Sequence, residues 1–563
     1  MIITPKPKSD NYRQQGHWGD RQLHQLFEEH LHQHPDTFAL IDPSNKPDLT
    51  GEQPKRLTYR QVADQIELVS CSLYEQGIHK DDVLLVQMPN IVELVILYLA
   101  ASKLGAIISP VPMQYLENEL SDIIQILQPK AVVGVASFKT SDAMSALLTA
   151  IDQNQTTLST IPKSLCWGEH SRCGNLDVLT QTAEAQDDYQ KYCQKLERSG
   201  DDILTVCWTS GTEGTPKGIP RSHNQWLTVG LATYKGNQIQ AGETLLNPFP
   251  FINMASIGGL FLSWLYSGGK LVLHHPLELP VFLQQIVSEQ VSYTLVPPAL
   301  LNGLLKNEAL LAQCDFSGIR AIGSGSAPLD DWMVKGYKDR FDIEIVNHFG
   351  SNEGVCLLCG PNDTSSAETR ARLFPRAHKT LISRLVDSET GREISNAGIP
   401  GELQIQGPSV FDGYYKDPVK TAASFTDDGF FKTGDLFEIS SDDSNFYRFV
   451  GRSKDLIIRG GMNIAPAELD NLLSGHPKIA EAAVASYACE LMGERVAVYV
   501  VSKDQTELTL EDIVGYLKSL KVAAFKLPEK IFNIDALPRN PLGKVVRGEL
   551  KAQGDKTLAA ASH

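Results

Sequence analysis

Apolar and polar positions along the first three-quarters of the chain follow helical spacing in some stretches and strand spacing in others. Apolar residues recur at helical spacing near the start of the chain, at Leu23, Leu26, Phe27 and Leu31. Thr58 is placed to cap a second helix that runs to Gly77. A strand-like run at 83–86 is followed by a helical run at 95–104. The same alternation returns around 203–207, 281–287, 293–296 and 343–346. Strands that alternate with helices predict a layered α/β architecture with largely parallel sheets.

The pattern changes past roughly Gly451. Two strand-like runs, one helical run and a last strand-like run follow in order, at 482–485, 496–501, 510–520 and 531–534. This order predicts a small α+β domain of about a hundred residues, which is a common domain size. We therefore expect one domain over 1–453 and a second over 454–563, with a frayed tail from Lys551 onwards.

Composition and charge exclude several classes of protein. The 563 residues are 42% hydrophobic and 21% charged, which is typical of a globular chain with more than one domain. A formal charge of −16 argues against nonspecific binding of nucleic acid. The longest apolar run, Val92 to Ala101, is too short to cross a bilayer, so we expect no membrane span. Nine cysteines, an odd number, fit reduced thiols in a cytoplasmic protein.

A loop rich in glycine and hydroxyl groups follows the strand predicted near 203–208. It consists of Thr209, Ser210, Gly211, Thr212, Glu213, Gly214, Thr215, Pro216, Lys217 and Gly218. Glycines let the backbone approach a ligand closely, and Lys217 adds a cation, so the loop is suited to phosphate oxygens. It is not a Walker A loop, because Pro216 stands where that motif has Gly, and Gly218 where it has Ser or Thr. By itself the loop is equally typical of a flexible surface turn.

The loop resembles the phosphate loop of the adenylate-forming superfamily, which includes acyl-CoA synthetases, peptide adenylation domains and luciferases. The family pattern is (S/T)SG(S/T)TGxPKG, and Glu213 departs from it. A carboxylate would repel a triphosphate, so we expect this side chain to turn away. Further on, Gly325–Leu329 resembles the family's strip beside the adenine, and Phe349–Glu353 resembles its YGxTE motif, with Asn352 in place of threonine.

Three more motifs follow in the family's order. Thr433-Gly434-Asp435 matches its TGD motif, and an ionised Asp435 can accept hydrogen bonds from both ribose hydroxyls. The stretch 451–455 resembles the hinge of the family, where Arg452 would reach ribose or phosphate and Lys454 would be the residue about which the small domain rotates.

The last of these motifs, at 538–544, carries the catalytic lysine in the family, which would be Lys544 here. The resemblance implies that Phe349 stacks on adenine and that Glu353 is both catalytic and the ligand of a magnesium ion. It implies nucleotide contacts at Thr209, Ser210, Gly211, Thr212, Gly214, Lys217, Gly325, Ser326, Ala327, Phe349, Gly350, Ser351, Asp435 and Arg452.

The resemblance also implies a fold and a reaction. The fold is a large N-terminal domain of layered α/β subdomains, with two βαβ-type sheets and a small β-barrel-like part, followed by a small mobile α+β domain. The reaction activates a small carboxylic acid with ATP and Mg²⁺ to an acyl-adenylate, which a thiol then attacks. The thiol is that of CoA or of the phosphopantetheine on a carrier protein. We favour CoA, because no carrier segment follows Lys544.

The acid pocket is predicted from one segment. Siderophore aryl-acid ligases carry a His-Asn pair there, whereas Phe251 and Ile252 stand at those positions in this chain, with Asn253 and Ile257 nearby. Apolar groups would leave a ring hydroxyl unpaired, at a cost of about 1–3 kcal/mol. We therefore expect a medium-chain, alicyclic or unhydroxylated aromatic acid. An alignment shifted by one or two residues would instead give Asn253 the polar role.

Other functions remain open from the sequence. The chain could be a stand-alone aryl-acid ligase that loads a carrier protein, or a luciferase-like oxygenase. It could also be a homologue that binds nucleotide but has lost catalysis, with Glu213 and Asn352 as signs of the loss. The groups that catalysis needs are nevertheless in place, namely Lys544, Asp435, Arg452 and Glu353.

Overall fold

The computed structural model describes residues 1–177, 183–209, 216–312, 314–378, 380–459, 462–489, 493–503, 506–540 and 543–561. The strands are β1 Phe38–Ile41, β2 Arg56–Thr58, β3 Val83–Gln87, β4 Ile107–Pro110, β5 Ala131–Val135, β6 Ser137–Phe138, β7 Ser141–Asp142, β8 Lys163–Trp167, β9 Gly174–Asn175, β10 Ile203–Thr209, β11 Lys217–Ser222, β12 Thr244–Asn247, β13 Lys270–Leu273, β14 Tyr293–Val296, β15 Ala321–Gly325, β16 Glu344–Gly350, β17 Cys356–Cys359, β18 Leu373–Pro375, β19 Ile382–Val386, β20 Gly401–Gln406, β21 Phe431–Ile439, β22 Phe446–Arg452, β23 Ile457–Arg459, β24 Met462–Ile464, β25 Ile479–Cys489, β26 Gly493–Ser502 and β27 Lys530–Asn533.

The α-helices are α1 Lys6–Gln14, α2 Leu23–Gln33, α3 Lys46–Thr50, α4 Tyr59–Glu75, α5 Val92–Leu104, α6 Glu117–Leu127, α7 Ser145–Gln153, α8 Ala183–Lys195, α9 His223–Gly236, α10 Leu262–Ser267, α11 Leu279–Ser288, α12 Pro298–Lys306, α13 Glu308–Leu311, α14 Asp331–Phe341, α15 Ala367–Arg372, α16 Pro418–Ser424, α17 Pro466–Ser474, α18 Leu510–Ser519 and α19 Arg547–Ala561. A π-helix spans Met254–Phe261, and short 3-10 turns lie at Ser453–Asp455 and Ala524–Lys526.

The first sheet runs in the order β11-β10-β4-β3-β5-β8-β9. Its strands are parallel except for β11, which returns antiparallel to β10 as a hairpin. Thr209 lies directly opposite Lys217 in that hairpin. The strand pairing therefore holds both ends of the predicted phosphate loop side by side at the carboxyl end of β10.

The second sheet runs in the order β17-β16-β15-β14-β12-β13-β1-β2, with parallel strands in its centre. Strands β15 and β16 are parallel neighbours in which Gly325 lies opposite His348. Their carboxyl ends therefore reach the same edge of the sheet. This register brings the predicted adenine strip beside the motif that contains Glu353.

Helix α5 occupies the centre of the large domain. All of its residues except Lys103 are buried, and its apolar residues share one cluster with Val86 of β3 and Leu245 of β12. A helix that is apolar on every side is stable when protein surrounds it, so the longest apolar run of the sequence is core. No helix within the described residues is long and apolar enough to cross a membrane.

The third sheet is antiparallel, in the order β18-β22-β21-β20-β19. The last sheet runs β24-β23-β26-β25, with β27 parallel to β26, and helices α17 and α18 cover it with Leu469, Leu473, Ile513 and Leu517. The predicted class, a large layered α/β part followed by a small α+β part, is confirmed.

Local predictions from the sequence have mixed outcomes. The helix after Thr58 is confirmed, because the Thr58 hydroxyl accepts the Gln61 N–H at 3.3 Å and Gln61 Oε1 accepts the Thr58 N–H at 2.9 Å.

The expected frayed tail is wrong, because α19 extends to Ala561. Leu550 is fully buried and its carbonyl accepts the Tyr499 hydroxyl at 2.6 Å, which anchors this helix to the last sheet.

Candidate active site

A hairpin places a carboxylate and a guanidinium opposite each other at one end of the third sheet. Asp435 of β21 pairs in register with Arg452 of β22, and Arg452 Nε donates to Asp435 Oδ1 at 3.0 Å. Gly434 has a φ of +70°, which turns the chain so that Asp435 points inward. Burial raises the pKa of Asp435 to about 6, although the charges of Arg452 and Lys544 act in the opposite direction.

Lys544 reaches this ion pair from the C-terminal segment. Its loop is a tight turn in which Gly543 has a φ of +78° and the Lys544 N–H donates to Asn540 Oδ1 at 3.0 Å. The side chain stays accessible to solvent within a cleft that protein surrounds. Its pKa is lowered first by desolvation and then by Arg452, whereas Asp435 and Glu353 raise it.

Two further lysines extend the group of cations. The pKa of Lys454 is lowered by burial first, then by the charges of Arg452 and Lys217. The ammonium of Lys217 lies 5.2 Å from the centre of the Tyr414 ring, in a cation–π contact. Lys217 and Lys454, which are far apart in sequence, therefore join Arg452 and Lys544 in one cleft.

Glu353 provides a carboxylate in the same cleft. It follows β16 in the turn before β17, where its carbonyl accepts the Phe411 N–H at 2.8 Å. The Tyr414 hydroxyl donates to Glu353 Oε1 at 3.4 Å. A Cβ on Gly354 would lie 2.1 Å from the Ser409 carbonyl oxygen, so this turn requires glycine. A single exposed carboxylate oxygen suits Mg²⁺, which proteins often hold through one or two carboxylates together with phosphates and water.

The predicted adenine strip forms an accessible rim beside this carboxylate. A Cβ on Gly325 would lie 2.2 Å from the His348 carbonyl oxygen, so only glycine allows β15 and β16 to approach this closely. Ser326 and Ala327 are exposed, and Gly350 is exposed at the end of the neighbouring strand. Ser351 Oγ is buried without a hydrogen-bond partner among the described residues.

Phe349 is placed between the rim and the third sheet. Its ring centre lies 5.0 Å from that of Phe437, 5.3 Å from that of Phe449 and 5.9 Å from that of Phe374. The ring is half-buried, so one part packs in this aromatic cluster while another part remains accessible. Thr209 is also half-buried; Ser210, Gly211, Thr212, Glu213 and Gly214 lie outside the described residues.

The predicted acid segment is mostly core. Phe251 is 2% exposed, its ring packs on Tyr98, and its carbonyl accepts the Tyr98 hydroxyl at 2.7 Å. Ile252 and Ile257 are buried as well. Asn253 is half-buried, and its Oδ1 accepts the Ser256 N–H at 3.2 Å, which caps the π-helix. Asn253 therefore already uses its carbonyl oxygen within the segment.

Sequence reasoning missed the residues that connect this segment to Glu353. Asn352 Oδ1 accepts the Met254 N–H at 2.8 Å, which explains an amide where the family pattern has threonine. Arg221 is fully buried, and its Nη atoms donate to the carbonyls of Asn352 and Ser409, each at 2.8 Å. Burial lowers the pKa of Arg221 to about 10, so it remains a cation at neutral pH. The signal for Arg221 that the sequence offered was an arginine four residues after Lys217.

His348 was missed too, although it precedes Phe349. Strand alternation turns it to the opposite face of β16, where Nε2 lies 2.8 Å from Asn237 Oδ1 and 3.5 Å from the Tyr293 hydroxyl. Burial lowers the pKa of His348 to about 3, so the imidazole is neutral. His348 is therefore a buried polar group of β16 that the segment at 251–257 does not reveal.

A family model described as "AMP-binding enzyme" matches residues 27–415, and one described as "AMP-binding enzyme C-terminal domain" matches residues 468–544. The 4-coumarate-CoA ligase 1 of Narcissus pseudonarcissus is 26% identical over 542 residues, covering 94% of this chain and 93% of the ligase. Enterobactin synthase component E of Escherichia coli (strain K12) is 28% identical over 561 residues, covering 97% of each chain.

A solved structure with a similar fold is that of the anthranilate CoA ligase AuaEII in complex with anthranoyl-AMP. It superposes with a TM-score of 0.79 at 20% sequence identity, over 96% of this chain and 98% of that one. At that identity the likeness supports the fold, including the large layered part and the small α+β part.

Replacement of Asn352 by alanine tests the link between the acid segment and the Glu353 turn. The Met254 N–H would lose its partner in a buried position, so we expect the free energy of unfolding to fall by about 1–3 kcal/mol in urea titrations. Asn445→Ala is the matched control, since Asn445 is exposed and its amide bonds only locally to Asp443. Equal unfolding midpoints for the two variants would contradict the assigned role.

Proposed function

Since the chain belongs to the AMP-binding enzyme family, we propose that it is an AMP-forming ligase that joins a carboxylic acid to the thiol of CoA. The observation that carries the proposal is the gathering of Lys217, Arg452, Lys454 and Lys544 in one cleft of a chain with a formal charge of −16. The pKa values of Lys454 and Lys544 are lowered first by desolvation and then by the charge of Arg452, which repels both ammonium groups. A triphosphate would relieve that repulsion.

In the first step the carboxylate of the acid attacks the α-phosphate of ATP, and pyrophosphate leaves. Both reactants are anionic, so catalysis depends on positive charge held where negative charge develops. We assign to Lys544 the contact with both the carboxylate and the phosphate, and to Asp435 the hydrogen bonds from the ribose hydroxyls. Glu353 would hold the magnesium ion, whose charge offsets part of that on the triphosphate.

The surroundings of these groups support their roles. Lys217 lies at the carboxyl end of β10, where the departing pyrophosphate would be held. Ser326 and Ala327 offer an accessible rim for the adenine next to the buried Gly325, with the half-buried ring of Phe349 beside it. Having these residues in one cleft favours a working ligase over a homologue that only binds nucleotide.

In the second step a thiol attacks the acyl carbon, and AMP leaves. Lys544 lies beside Asp435 and Glu353, so it must withdraw before a thiol can reach the same carbon. We place the boundary of the moving domain between residues 453 and 454, with Lys454 as the hinge. The cytoplasm supplies ATP and CoA, and we propose that the protein acts there; the described residues contain no disulfide.

The proposed acid has an apolar body. Phe251, Ile252 and Ile257 are buried apolar residues, and Asn253 uses its carbonyl oxygen to cap the π-helix. These contacts favour a medium-chain, alicyclic or aromatic acid without ring hydroxyls. The neutral imidazole of His348, on β16, would allow one hydrogen bond to such an acid.

Incubation with ATP, Mg²⁺, CoA and a panel of carboxylic acids tests the reaction directly. We expect acyl-CoA and AMP by mass spectrometry, with apolar acids preferred over their hydroxylated counterparts. An acyl-adenylate that never becomes a CoA thioester would replace CoA by a carrier-protein phosphopantetheine as the acceptor. If ATP binds but no acid yields either product, the chain has lost catalysis.

Replacement of Lys544 by alanine tests the division of roles between the two steps. We expect adenylate formation to fall by about 10²–10³-fold, while thioester formation from a supplied acyl-adenylate remains. Lys518→Ala, an exposed lysine on α18 of the same domain, is the control and should leave both steps unchanged. Equal losses in both steps would show that Lys544 does not act as proposed.

A further inference from the structure

A carboxylate directly after the adenine strip joins the large domain to the segment that carries Lys544. Asp330 Oδ1 accepts the hydroxyl of Ser474 at 2.7 Å, and Asp330 Oδ2 accepts Asn302 Nδ2 at 2.7 Å. Ser474 is the last residue of α17. The hydroxyl also lies 2.7 Å from the Asn471 carbonyl, but the ionised carboxylate is the stronger acceptor for its single proton.

Asp330 makes these contacts instead of a local bond. It occupies the N-cap position of α14, where an aspartate usually accepts an N–H from the first turn of its own helix. Its side chain makes no such cap in this structure. Both oxygens are used for bonds between elements, so the position of the carboxylate is set by Asn302 and Ser474.

Side-chain contacts link the helix that carries Ser474 to the loop that carries Lys544. Arg547 lies three residues after Lys544 and forms an ion pair with Asp470 of α17. Its Nη1 also donates to the Val484 carbonyl at 2.6 Å. Asp470 and Ser474 are four residues apart, on the same face of α17. Restraining Ser474 therefore restrains the loop that carries Lys544.

Charged groups of both parts of the chain face each other near this hydrogen bond. The pKa of Lys306, on α12 of the large domain, is lowered by burial first and then by Lys503 of the C-terminal segment. Asp330 raises the same pKa. The charge of Lys503 therefore acts on Lys306 across this contact, and the charge of Asp330 acts on Lys306 in the opposite direction.

We propose that the Asp330–Ser474 hydrogen bond holds the arrangement in which Lys544 lies in the nucleotide cleft, so that both are positioning residues for adenylate formation and not for thioester formation. The bond must break when Lys544 withdraws. This inference rests on the proposed two-step function, and it adds a contact outside the nucleotide and acid sites that sets the balance between the steps.

A double-mutant cycle tests the proposal. Asp330→Ala, Ser474→Ala and the double variant are compared with the wild-type enzyme in each half-reaction separately. We expect adenylate formation to fall by about tenfold in each single variant, as for loss of a hydrogen bond to a charged group. The double variant should fall no further than Asp330→Ala, because that single variant already lacks the bond to Ser474 as well as the bond to Asn302. Thioester formation from a supplied acyl-adenylate should stay at the wild-type rate or rise.

Ser519→Ala is the matched control. Ser519 Oγ lies 2.7 Å from the carbonyl oxygen three residues earlier, as Ser474 Oγ does, but Ser519 has no hydrogen bond to the large domain among the described residues. It should leave both steps unchanged, and thermal midpoints show whether each variant is folded. Additive losses, equal losses in both steps, or wild-type adenylate formation in Ser474→Ala would overturn the proposal. A wild-type enzyme that forms no adenylate from any acid would overturn the two-step function itself.

Discussion

Mutual repulsion among Lys217, Arg452, Lys454 and Lys544 is the constraint around which this molecule is organised. These cations come from the start of β11, the end of β22, the turn after it and the loop before α19. The pKa values of Lys454 and Lys544 are lowered first by desolvation and then by the charge of Arg452. Asp435 and Glu353 oppose this repulsion only in part. A cleft of this kind is stabilised by an anionic ligand, and a nucleotide triphosphate supplies the charge that it lacks.

The scaffold connects the two reactants through buried polar contacts. Arg221 holds the carbonyls of Asn352 and Ser409, while the Asn352 side chain holds the start of the π-helix at Met254. The turn that presents Glu353 and the segment next to the acid therefore move together. Because adenylate formation requires the carboxylate and the α-phosphate to meet within a narrow range of geometry, such a connection favours productive alignment.

The sequence was sufficient for the α/β class, because strand and helix patterns alternate over most of the chain. Its motifs indicated Lys217, Arg452, Lys454 and Lys544 one by one, whereas the approach of their charges depends on strand pairing and on the C-terminal segment. It was insufficient for contacts between distant segments. Nothing near Asn352 indicates that its amide bonds to Met254, and nothing near Asp330 indicates that its carboxylate bonds to Ser474 instead of capping α14. The tail was expected to fray as a chain terminus, although α19 extends to Ala561 and Leu550 is buried near its start.

Oxygen labelling tests most directly whether an acyl-adenylate forms as the intermediate. The acid is supplied with ¹⁸O in its carboxylate, and the nucleotide product is analysed by mass spectrometry after thioester formation. The account predicts AMP that carries one ¹⁸O, because the oxygen that attacks the α-phosphate leaves with AMP when the thiol displaces it. Unlabelled AMP, or ADP together with labelled phosphate, would contradict it.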